Sequence, residues 1–259
     1  MKELTLVKIG GKLIDDESKL SASLEVFSKI KGAKLLVHGG GKLATDMAKQ
    51  LGIDSPMIDG RRITNTETLK LVSMVYAGWI NKKIVAGLQA LNQKAMGLCG
   101  ADDNLILAEK RQHTSIDYGF VGDVTAVNKE ALSTYIEQDK VLVLSAITHD
   151  GKGQLLNTNA DTIATEIAIA LSENYQVKLI YSFEKPGVLI HPDDDMSYLK
   201  CLDAVLYQEM KENGTINKGM LPKTENAFKA FNKGVDVLIG DLLRMSGDDY
   251  CGTELIACK

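Results

Sequence analysis

Short runs of apolar residues alternate with amphipathic segments along the first fifty positions of the chain. The runs "LTLVKI" (4–9) and "KLLVH" (34–38) have the length of buried strands, and segments 19–31 and 42–51 carry apolar residues at helical spacing. Because strand, helix and strand in succession form the repeating unit of a parallel sheet, this order is typical of an α/β protein. We therefore predict an α/β fold with a mainly parallel sheet.

A longer amphipathic pattern follows. Thr64 and Glu67 have the spacing of a capping box, in which each side chain bonds to the other residue's backbone N–H at a helix start. Apolar residues then recur at steps of three or four: Leu69, Val72, Tyr76, Ile80, Ile84, Leu88 and Leu91. The pattern predicts one helix of about seven turns that ends near residue 91.

The rest of the chain continues the alternation with one exception. Residues 102–125 change direction too often for a helix, and they predict a β-hairpin that serves as a lid or an edge ribbon. A buried strand is expected at 140–147, followed by a helix that begins at Asn159 or Asp161. The second part predicts strands at 177–183, 235–240 and 253–258, a turn and a strand within 185–190, and helices near 197–213 and 219–234. Because no low-complexity linker divides the chain, we expect two lobes, separated near residue 172, that share one continuous sheet.

Composition narrows the classes of protein. A chain of 259 residues, 45% hydrophobic and 25% charged, can bury a full core. Its formal net charge of −4 argues against a nucleic-acid surface or a polybasic membrane patch, since both need a strong positive field. No stretch approaches the ~18 apolar residues of a membrane span, and the first residues lack the apolar run of a signal peptide. The four cysteines form no CxxC pair, which suits a reducing compartment, and we expect a cytoplasmic protein.

Two predicted strands run directly into glycines. Lys8 lies inside the first strand, just before Gly10 and Gly11. The second strand ends in Gly39, Gly40 and Gly41. A glycine at a strand-to-helix turn lets backbone N–H groups approach a phosphate, and a lysine in a buried strand needs an anionic partner. The pattern indicates an anion site, with a plain structural turn and a salt bridge as the simpler interpretations.

The segment "GGGKLA" also fits the G-x-G-x-x-A pattern of a dinucleotide-binding fold, so an NAD-binding oxidoreductase is an alternative. Asp59 stands about 20 residues further on, where that fold has an acidic residue, but no clear second strand precedes it. A Walker A loop does not fit, because Leu43 rather than Ser or Thr follows Lys42. We interpret His38, directly before these glycines, as a packed or hydrogen-bonded turn residue rather than a catalyst.

Three further motifs carry polar residues that suit an anionic ligand. "NTNAD" places Asn159 and Asp161 at a helix start, "GMLPK" places Lys223 at another, and "GRRIT" places Arg61 and Arg62 before the long helix. A guanidinium can bind a carboxylate through two parallel hydrogen bonds. The simpler interpretations are a helix N-cap for the asparagine or aspartate and a solvated surface position for one arginine.

Taken in order, "KIGGK", "VHGGGK", "GRRIT", "NTNAD" and "GMLPK" resemble the motifs of the amino acid kinase family, and they extend over nearly the whole chain. The resemblance implies an open three-layer α/β/α sandwich, in which lobe 1–172 binds an N-acylated glutamate and lobe 173–259 binds ATP. We expect lobe 1–172 to form the dimer contact as well. The implied reaction transfers the γ-phosphoryl group of ATP to the γ-carboxylate of N-acetyl-L-glutamate, a step of arginine biosynthesis. N-succinyl-L-glutamate is the alternative substrate.

The resemblance also implies roles for individual residues. Lys8 and Lys223 match two lysines that stabilise the transferred phosphoryl group, and Asp161 matches the aspartate that orients them. The residues implied for acylglutamate binding are Gly40, Gly41, Arg62 and Asn159, and those for the phosphate loop are Gly10, Gly11 and Gly39. The residues expected at the nucleotide are Ser182, Gly187, Val188, Leu189, Thr215, Ile216 and Asn217. Magnesium is expected to arrive with ATP and to need no side-chain ligand from the protein.

Segment 183–188 departs from the family pattern. The family usually has a short Asp-containing turn before Gly-Val, whereas this chain reads "FEKPGV". The departure leaves open which side chains contact the adenosine.

The start of the chain and the middle of helix 66–91 carry expectations about the oligomeric state. Arginine-inhibited members of the family resemble one another in an extra N-terminal helix that links dimers into a hexamer, and only seven residues precede Lys8. We therefore expect no ring and no inhibition by L-arginine. Tyr76, Trp79 and Ile80 near the middle of helix 66–91 predict an apolar stripe through which a homodimer forms. The alternative is that all three face the interior of their own chain.

Overall fold

Eight strands form the central sheet of the computed structural model, which describes residues 1–58, 61–191, 193–216, 220–244 and 251–258. The strands in chain order are β1 Lys2–Ile9, β2 Ala33–His38, β3 Met57–Ile58, β4 Arg61–Arg62, β5 Ala95–Leu98, β6 Ile106–Lys110, β7 Gly122–Val127, β8 Val141–Ser145, β9 Ile147–His149, β10 Leu155–Asn157, β11 Tyr175–Ser182, β12 Cys201–Leu202, β13 Asp236–Gly240 and β14 Thr253–Leu255. The helices are α1 Gly11–Asp15, α2 Glu17–Lys29, α3 Gly41–Gln50, α4 Thr66–Ser73, α5 Asn81–Ala90, α6 Lys129–Glu137, α7 Ala160–Leu171, α8 Ala204–Glu212 and α9 Leu221–Phe231.

The central sheet has the strand order β12-β14-β13-β11-β1-β2-β8-β5, and its neighbours are parallel except for the antiparallel pair β13 and β14. Helices α6, α7 and α9 pack together on one face, where α7 contacts β1, β2 and β11. Helices α1, α2 and α5 form the layer on the other face. The α/β class and the mainly parallel sheet are confirmed.

The carboxyl ends of the central strands lie at one edge of the sheet. Ile9 of β1 pairs with His38 at the end of β2 and with Ser182 at the end of β11. Lys8 therefore lies one residue inside this edge, between two neighbouring strands. Open α/β sheets bind ligands just outside the carboxyl ends of their strands.

The long helix begins at Thr66, the first residue of the predicted range 66–91, but Thr64 is not its cap. Asn65 is the N-cap, and its side chain accepts a hydrogen bond from Thr68 N at 2.8 Å. Thr64 is buried and extended, since it bridges to Gly119, and its hydroxyl donates to the backbone oxygen of Arg62. The capping-box assignment is therefore wrong.

The same helix continues to Ala90 but is not α-helical throughout. Residues Met74–Ile80, between α4 and α5, form a π-helical segment with i to i+5 hydrogen bonds. The buried residues Val72, Tyr76, Ile80 and Ile84 recur every four positions, and in an α-helix a step of four rotates a side chain by about 40° out of line. The wider π turn keeps these side chains on one face.

Two predictions in the second part of the chain need correction. The helix expected near 197–213 begins only at Ala204, because Cys201–Leu202 pairs with β14 and the side chain of Asp203 caps α8. Segment 185–190 forms no strand, and Leu189 makes only an isolated bridge to Tyr198.

Residues 102–125 contain the predicted hairpin. Strands β6 and β7 pair antiparallel and join β9 and β10 in a separate four-stranded sheet. Within the described ranges, no helix is both long enough and apolar enough to cross a membrane. The four cysteines are free thiols.

Candidate active site

The two glycine loops lie at the carboxyl ends of the neighbouring strands β1 and β2. Gly10 follows β1 and donates its N–H to the backbone oxygen of Ser182 on β11 at 2.9 Å, and α1 begins at Gly11. Gly40 follows β2 and precedes Gly41, where α3 begins. The N-terminus of α3 therefore lies beside β1, and it carries partial positive charge.

A carboxylate and two ammonium groups meet beside these loops. Oδ1 of Asp161, in the first turn of α7, lies 2.8 Å from Lys8 Nζ and 3.5 Å from Lys223 Nζ. The side chains of Lys8, Asp161 and Lys223 are 9%, 13% and 11% exposed. Asn159 caps α7 by accepting a hydrogen bond from Asp161 N at 2.8 Å, so the simpler N-cap interpretation holds for the asparagine, which fixes the backbone that carries the aspartate.

Burial and charge have opposite effects in the Lys8/Asp161/Lys223 cluster. Burial by itself raises the pKa of Asp161, but the two lysines outweigh it and lower this pKa to about 2. Burial, joined by repulsion from Lys8, lowers the pKa of Lys223 to about 8, although Asp161 opposes the change. With both lysines protonated, the cluster carries one excess positive charge, which suits an anionic ligand.

A first cavity of about 260 Å³ opens beside the cluster. Its lining consists of Lys8, Gly11, Gly39, Gly40, Met57, Arg61, Arg62, Tyr76, Val121, Ala146, Asn157, Thr158, Asn159, Ala160 and Asp161. Residues predicted from four of the five motifs thus meet in one cavity. Of the other predicted residues, Gly10 and Gly41 adjoin the lining along the chain, and Lys223 reaches it through Asp161.

Arg62 lies buried in the wall of the first cavity. Its terminal nitrogens donate to the hydroxyls of Ser55 and Thr45, each at 2.8 Å. Its Nε is buried and has no hydrogen-bond partner among the described residues. The two hydroxyls hold the guanidinium in place without neutralising it, so its charge can act on an anion in the cavity.

Tyr76 is a cavity residue that the sequence analysis assigned to a dimer surface. A Cβ on Gly40 would lie 1.4 Å from the Tyr76 ring, so the ring occupies the space that any other residue at position 40 would need. Burial raises the pKa of the Tyr76 hydroxyl, and the neighbouring Arg62 partly offsets this. Asn157 and Thr158 were also missed, although the motif "NTNAD" contains both and could have indicated them.

The apolar stripe predicted for the long helix is wrong in two of its three members. Tyr76 and Ile80 are only 7% and 2% exposed, because the π turn directs one to the cavity and the other to the core. Trp79 is 64% exposed, and Met74, five residues earlier, is 62% exposed.

A second cavity, of about 120 Å³, lies close to Lys223, whose Nζ is 5.5 Å from the ring centroid of Phe183. Its lining consists of Phe183, Lys185, Gly187, Val188, Leu189, Thr215, Ile216 and Met220. Five residues expected at the nucleotide are among them. Ser182 is not, since it is buried and its hydroxyl accepts a hydrogen bond from Leu242 N, and Asn217 lies outside the described residues.

The side chains around the cluster show whether the protein itself could hold a magnesium ion. Among the described residues, no three His, Cys, Asp or Glu side chains come together in a way that could hold a metal ion. The carboxylate of Asp161 already pairs with two lysines, which fits a counter-ion better than a metal ligand. A magnesium ion held by nucleotide oxygens and water fits these residues.

A mainly parallel sheet thus carries two glycine loops and the Lys8/Asp161/Lys223 cluster at its carboxyl edge, an arrangement that suits the binding of phosphate groups. The family model described as "Amino acid kinase family" matches residues 3–241, and the chain belongs to this family.

Two relatives that match nearly the whole chain share one name. The acetylglutamate kinase of Parabacteroides distasonis is 51% identical over 239 residues, which cover 92% of this chain and 94% of that protein. The acetylglutamate kinase of Cytophaga hutchinsonii is 49% identical over 263 residues, which cover 99% of this chain and all of that protein. Nothing in these comparisons supports the dinucleotide-binding alternative.

Solved structures share the fold. The protein smu.665 of Streptococcus mutans UA159 superimposes with a TM-score of 0.80 at 27% identity, covering 97% of this chain and 98% of its own. A carbamate kinase of Giardia superimposes with a TM-score of 0.69 at 11% identity, covering 99% of both chains, and supports the fold alone.

Proposed function

We propose that this chain is an acetylglutamate kinase, which transfers the γ-phosphoryl group of ATP to the γ-carboxylate of N-acetyl-L-glutamate and forms N-acetyl-L-glutamyl 5-phosphate for arginine biosynthesis. The observation that carries the proposal is the Lys8/Asp161/Lys223 cluster beside two glycine loops in a cavity that also contains Arg62. The name of relatives about half identical over nearly the whole chain supports the choice of substrate.

The two cavities suggest a place for each substrate. We assign the acylglutamate to the first cavity, with Arg62, Asn159 and the loop of Gly40 and Gly41 in lobe 1–172. We assign the nucleotide to the second cavity in lobe 173–259, with magnesium held by its phosphates. Because Lys223 neighbours both cavities, the γ-phosphate of ATP would reach the Lys8/Asp161/Lys223 cluster.

The chemistry requires alignment and positive charge more than it requires a base. An oxygen of the ionised γ-carboxylate attacks the γ-phosphorus, a new O–P bond forms, and the bond to the β-phosphate oxygen breaks to release ADP. Lys8 offsets charge on the transferred group and Lys223 offsets charge on ADP, while backbone N–H groups of the glycine loops act as fixed donors. Asp161, with its pKa held low, stays ionised and keeps the two ammonium groups together.

Release of ADP, measured with ATP, magnesium and candidate acceptors, tests the proposal. We expect N-acetyl-L-glutamate to be a substrate and N-acetyl-L-aspartate, one methylene shorter, to be a poor one, because the shorter chain cannot reach the cluster from the same carboxylate site. Side-by-side kinetics with N-succinyl-L-glutamate determine the preferred acyl group. No turnover of either acylglutamate, with thermal stabilisation by NAD instead of ATP and magnesium, would refute the kinase.

We further propose that the protein acts in the cytoplasm as a homodimer formed through the long helix. Met74 and Trp79, each more than three-fifths exposed, lie five residues apart in the π-helical segment and so share one face. Large apolar side chains on one helix face suit a twofold contact, in which the same patch meets its own copy.

A further inference from the structure

His38, the last residue of β2, is fully buried directly behind the glycine loop that begins at Gly39. Its Nδ1 lies 2.9 Å from Gly39 O, and its Nε2 lies 3.1 Å from Asn81 Nδ2. The ring does not line the first cavity, so it cannot touch the substrate there. One of its two hydrogen bonds nevertheless ends on the backbone of a cavity residue, Gly39.

Asn81 determines which ring nitrogen carries the proton. Its Nδ2 donates to the backbone oxygen of Val143 at 2.9 Å, and that oxygen can only accept. Its Oδ1 accepts a hydrogen bond from Lys82 Nζ at 3.1 Å, which fixes the same orientation of the amide. Asn81 therefore presents a donor to Nε2 of His38, and Nε2 must accept. Burial lowers the pKa of His38 to about 4, so the neutral ring carries its proton on Nδ1 and donates to Gly39 O.

The position of Gly39 O fixes the direction of the next N–H group. The peptide bond between Gly39 and Gly40 is trans and planar, so its C=O and N–H point in opposite directions. Gly39 O is held toward the buried ring, so the Gly40 N–H points away from that ring, and both glycines line the first cavity. Among the described residues, no acceptor takes a hydrogen bond from this N–H.

A peptide between two glycines is the easiest kind to rotate, because neither residue has a Cβ that restricts it. We propose that His38, with its proton held on Nδ1 by Asn81, is a positioning residue that prevents this rotation and keeps the Gly40 N–H directed at an oxygen of the bound acylglutamate or of the transferred phosphoryl group. The kinetic part of this inference rests on the proposed function.

The tautomer can be tested without any turnover. In ¹⁵N-labelled full-length protein, NMR should show His38 protonated at Nδ1 with an unprotonated Nε2, and the spectrum of His38→Gln identifies the signals that belong to this ring. The Asn81→Asp variant offers Nε2 a carboxylate that only accepts, and it should move the proton to Nε2. A wild-type ring protonated at Nε2 would overturn the inference.

Two matched substitutions test the consequence for catalysis. The side-chain nitrogen of His38→Asn can lie near the position of Nδ1 and still donate to Gly39 O, whereas the amide of His38→Gln reaches the position of Nε2 instead. The complete loss of one fixed donor lowers turnover by roughly 10²–10³. In His38→Gln the Gly40 N–H is misdirected but still present, so we expect kcat/KM for the acylglutamate to fall by about tenfold to a hundredfold. The His38→Asn variant should stay within a few-fold of wild type, and KM for ATP should be unchanged in both.

The outcomes are separable. Equal losses in His38→Asn and His38→Gln, or no loss in either, would overturn the positioning role. His191→Gln is the control for a histidine change, since the described hydrogen bonds of His191 use only its backbone. Thermal unfolding identifies a variant that does not fold, and Asn81→Asp then carries the kinetic test. If the wild-type chain phosphorylates no acylglutamate, the proposed function fails while the NMR result still decides the position of the proton.

Discussion

Single residues set the charge at the proposed transfer site. Three groups from distant parts of the chain, Lys8, Asp161 and Lys223, share one cluster in which two ammonium groups meet a single carboxylate oxygen. A buried ammonium group lacks water as a hydrogen-bond partner, so an anionic ligand completes the cluster. Turnover should therefore depend on each lysine more than substrate binding does.

We expect Lys8→Ala and Lys223→Ala each to lower kcat by a hundredfold or more, on the order of the 10²–10³ lost with one transition-state donor. The KM values should change less, and steady-state kinetics separate the two. Lys70→Ala is the matched control, because Lys70 pairs with Glu67 on an exposed surface of α4. If either cluster variant kept a near-normal kcat, that lysine would have only a structural role as an ion-pair partner of Asp161.

The pKa of Lys223 predicts an alkaline limit to activity. A lysine loses its charge as the pH rises through its pKa, and burial has lowered this one to about 8. The value of kcat/KM, which reports the free enzyme, should therefore fall above about pH 8. The guanidinium of Lys223→Arg stays charged, so this variant should not show the fall in kcat/KM above about pH 8, even if its maximal rate is lower. If kcat/KM of Lys223→Arg still falls above about pH 8, the titration of another group causes the fall.

Arg62 should act mainly on binding. Its guanidinium is held by Ser55 and Thr45 and makes no ion pair with the cluster among the described residues, so we expect it to contact a carboxylate about equally in the ground and transition states. We expect Arg62→Ala to raise KM for the acylglutamate at least tenfold, as the loss of a charged hydrogen bond does, with kcat and KM for ATP little changed. A defect confined to ATP would assign the carboxylate contact elsewhere, with Arg61 the next candidate.

At the scale of elements, a side chain of the short helix α1 caps α3, the helix that follows the second glycine loop. Gly40 at the N-cap of α3 has no side chain that could accept a hydrogen bond. Asp15 of α1 supplies the acceptor instead, and its carboxylate takes hydrogen bonds from Lys42 N, at 2.9 Å, and from Leu43 N, at 3.3 Å. One aspartate thus ties the helix after the first glycine loop to the helix after the second.

Two neighbouring aspartates offer a test of this connection. Asp16 caps α2 by accepting a hydrogen bond from Lys19 N, away from the loops. We expect Asp15→Ala and Asp16→Ala each to lower the midpoint of thermal unfolding, because each removes the carboxylate that caps a helix. Only Asp15→Ala should also raise KM for the acylglutamate. Equal KM values for the two variants would limit Asp15 to stability.

At the scale of the whole molecule, one sheet carries both cavities and one helix carries the proposed dimer face. The π-helical segment Met74–Ile80 has two surfaces, with Tyr76 against Gly40 on the inside and Trp79 on the outside. A contact through Trp79 would therefore lie close in sequence to a residue of the first cavity.

We expect the wild type to be a dimer by sedimentation velocity and Trp79→Glu to be a monomer, because a charge at the centre of an apolar contact must lose water without a partner. Val205→Glu, which places a charge on a 58% exposed apolar residue of α8, is the matched control and should remain dimeric. A monomeric wild type, or dissociation of both variants alike, would contradict a dimer formed through this face.

Much of the fold could be predicted because its signals are local. The buried strands β1, β2 and β8 lie in the predicted apolar runs, although β1 begins two residues earlier and β8 ends two residues earlier than expected. The motifs also indicated Lys8, Asn159, Asp161 and Arg62, which line one cavity. Element ends were less predictable. Thr64 and Asn65 are both good N-caps, and only the bridge from Thr64 to Gly119 decides between them.

The sequence by itself determined the α/β order, the glycine loops and the charged residues of the site motifs, since these depend on composition and on spacing between residues close together in the chain. Only the tertiary structure decided that Tyr76 faces Gly40 while Trp79 faces outward, because both lie in the π-helical segment Met74–Ile80, whose wider turn the spacing of residues does not reveal. It also decided the state of His38, whose proton depends on Asn81, 43 positions away, and on an oxygen of a third element. Such contacts join residues distant in sequence, and no local pattern of residues specifies them.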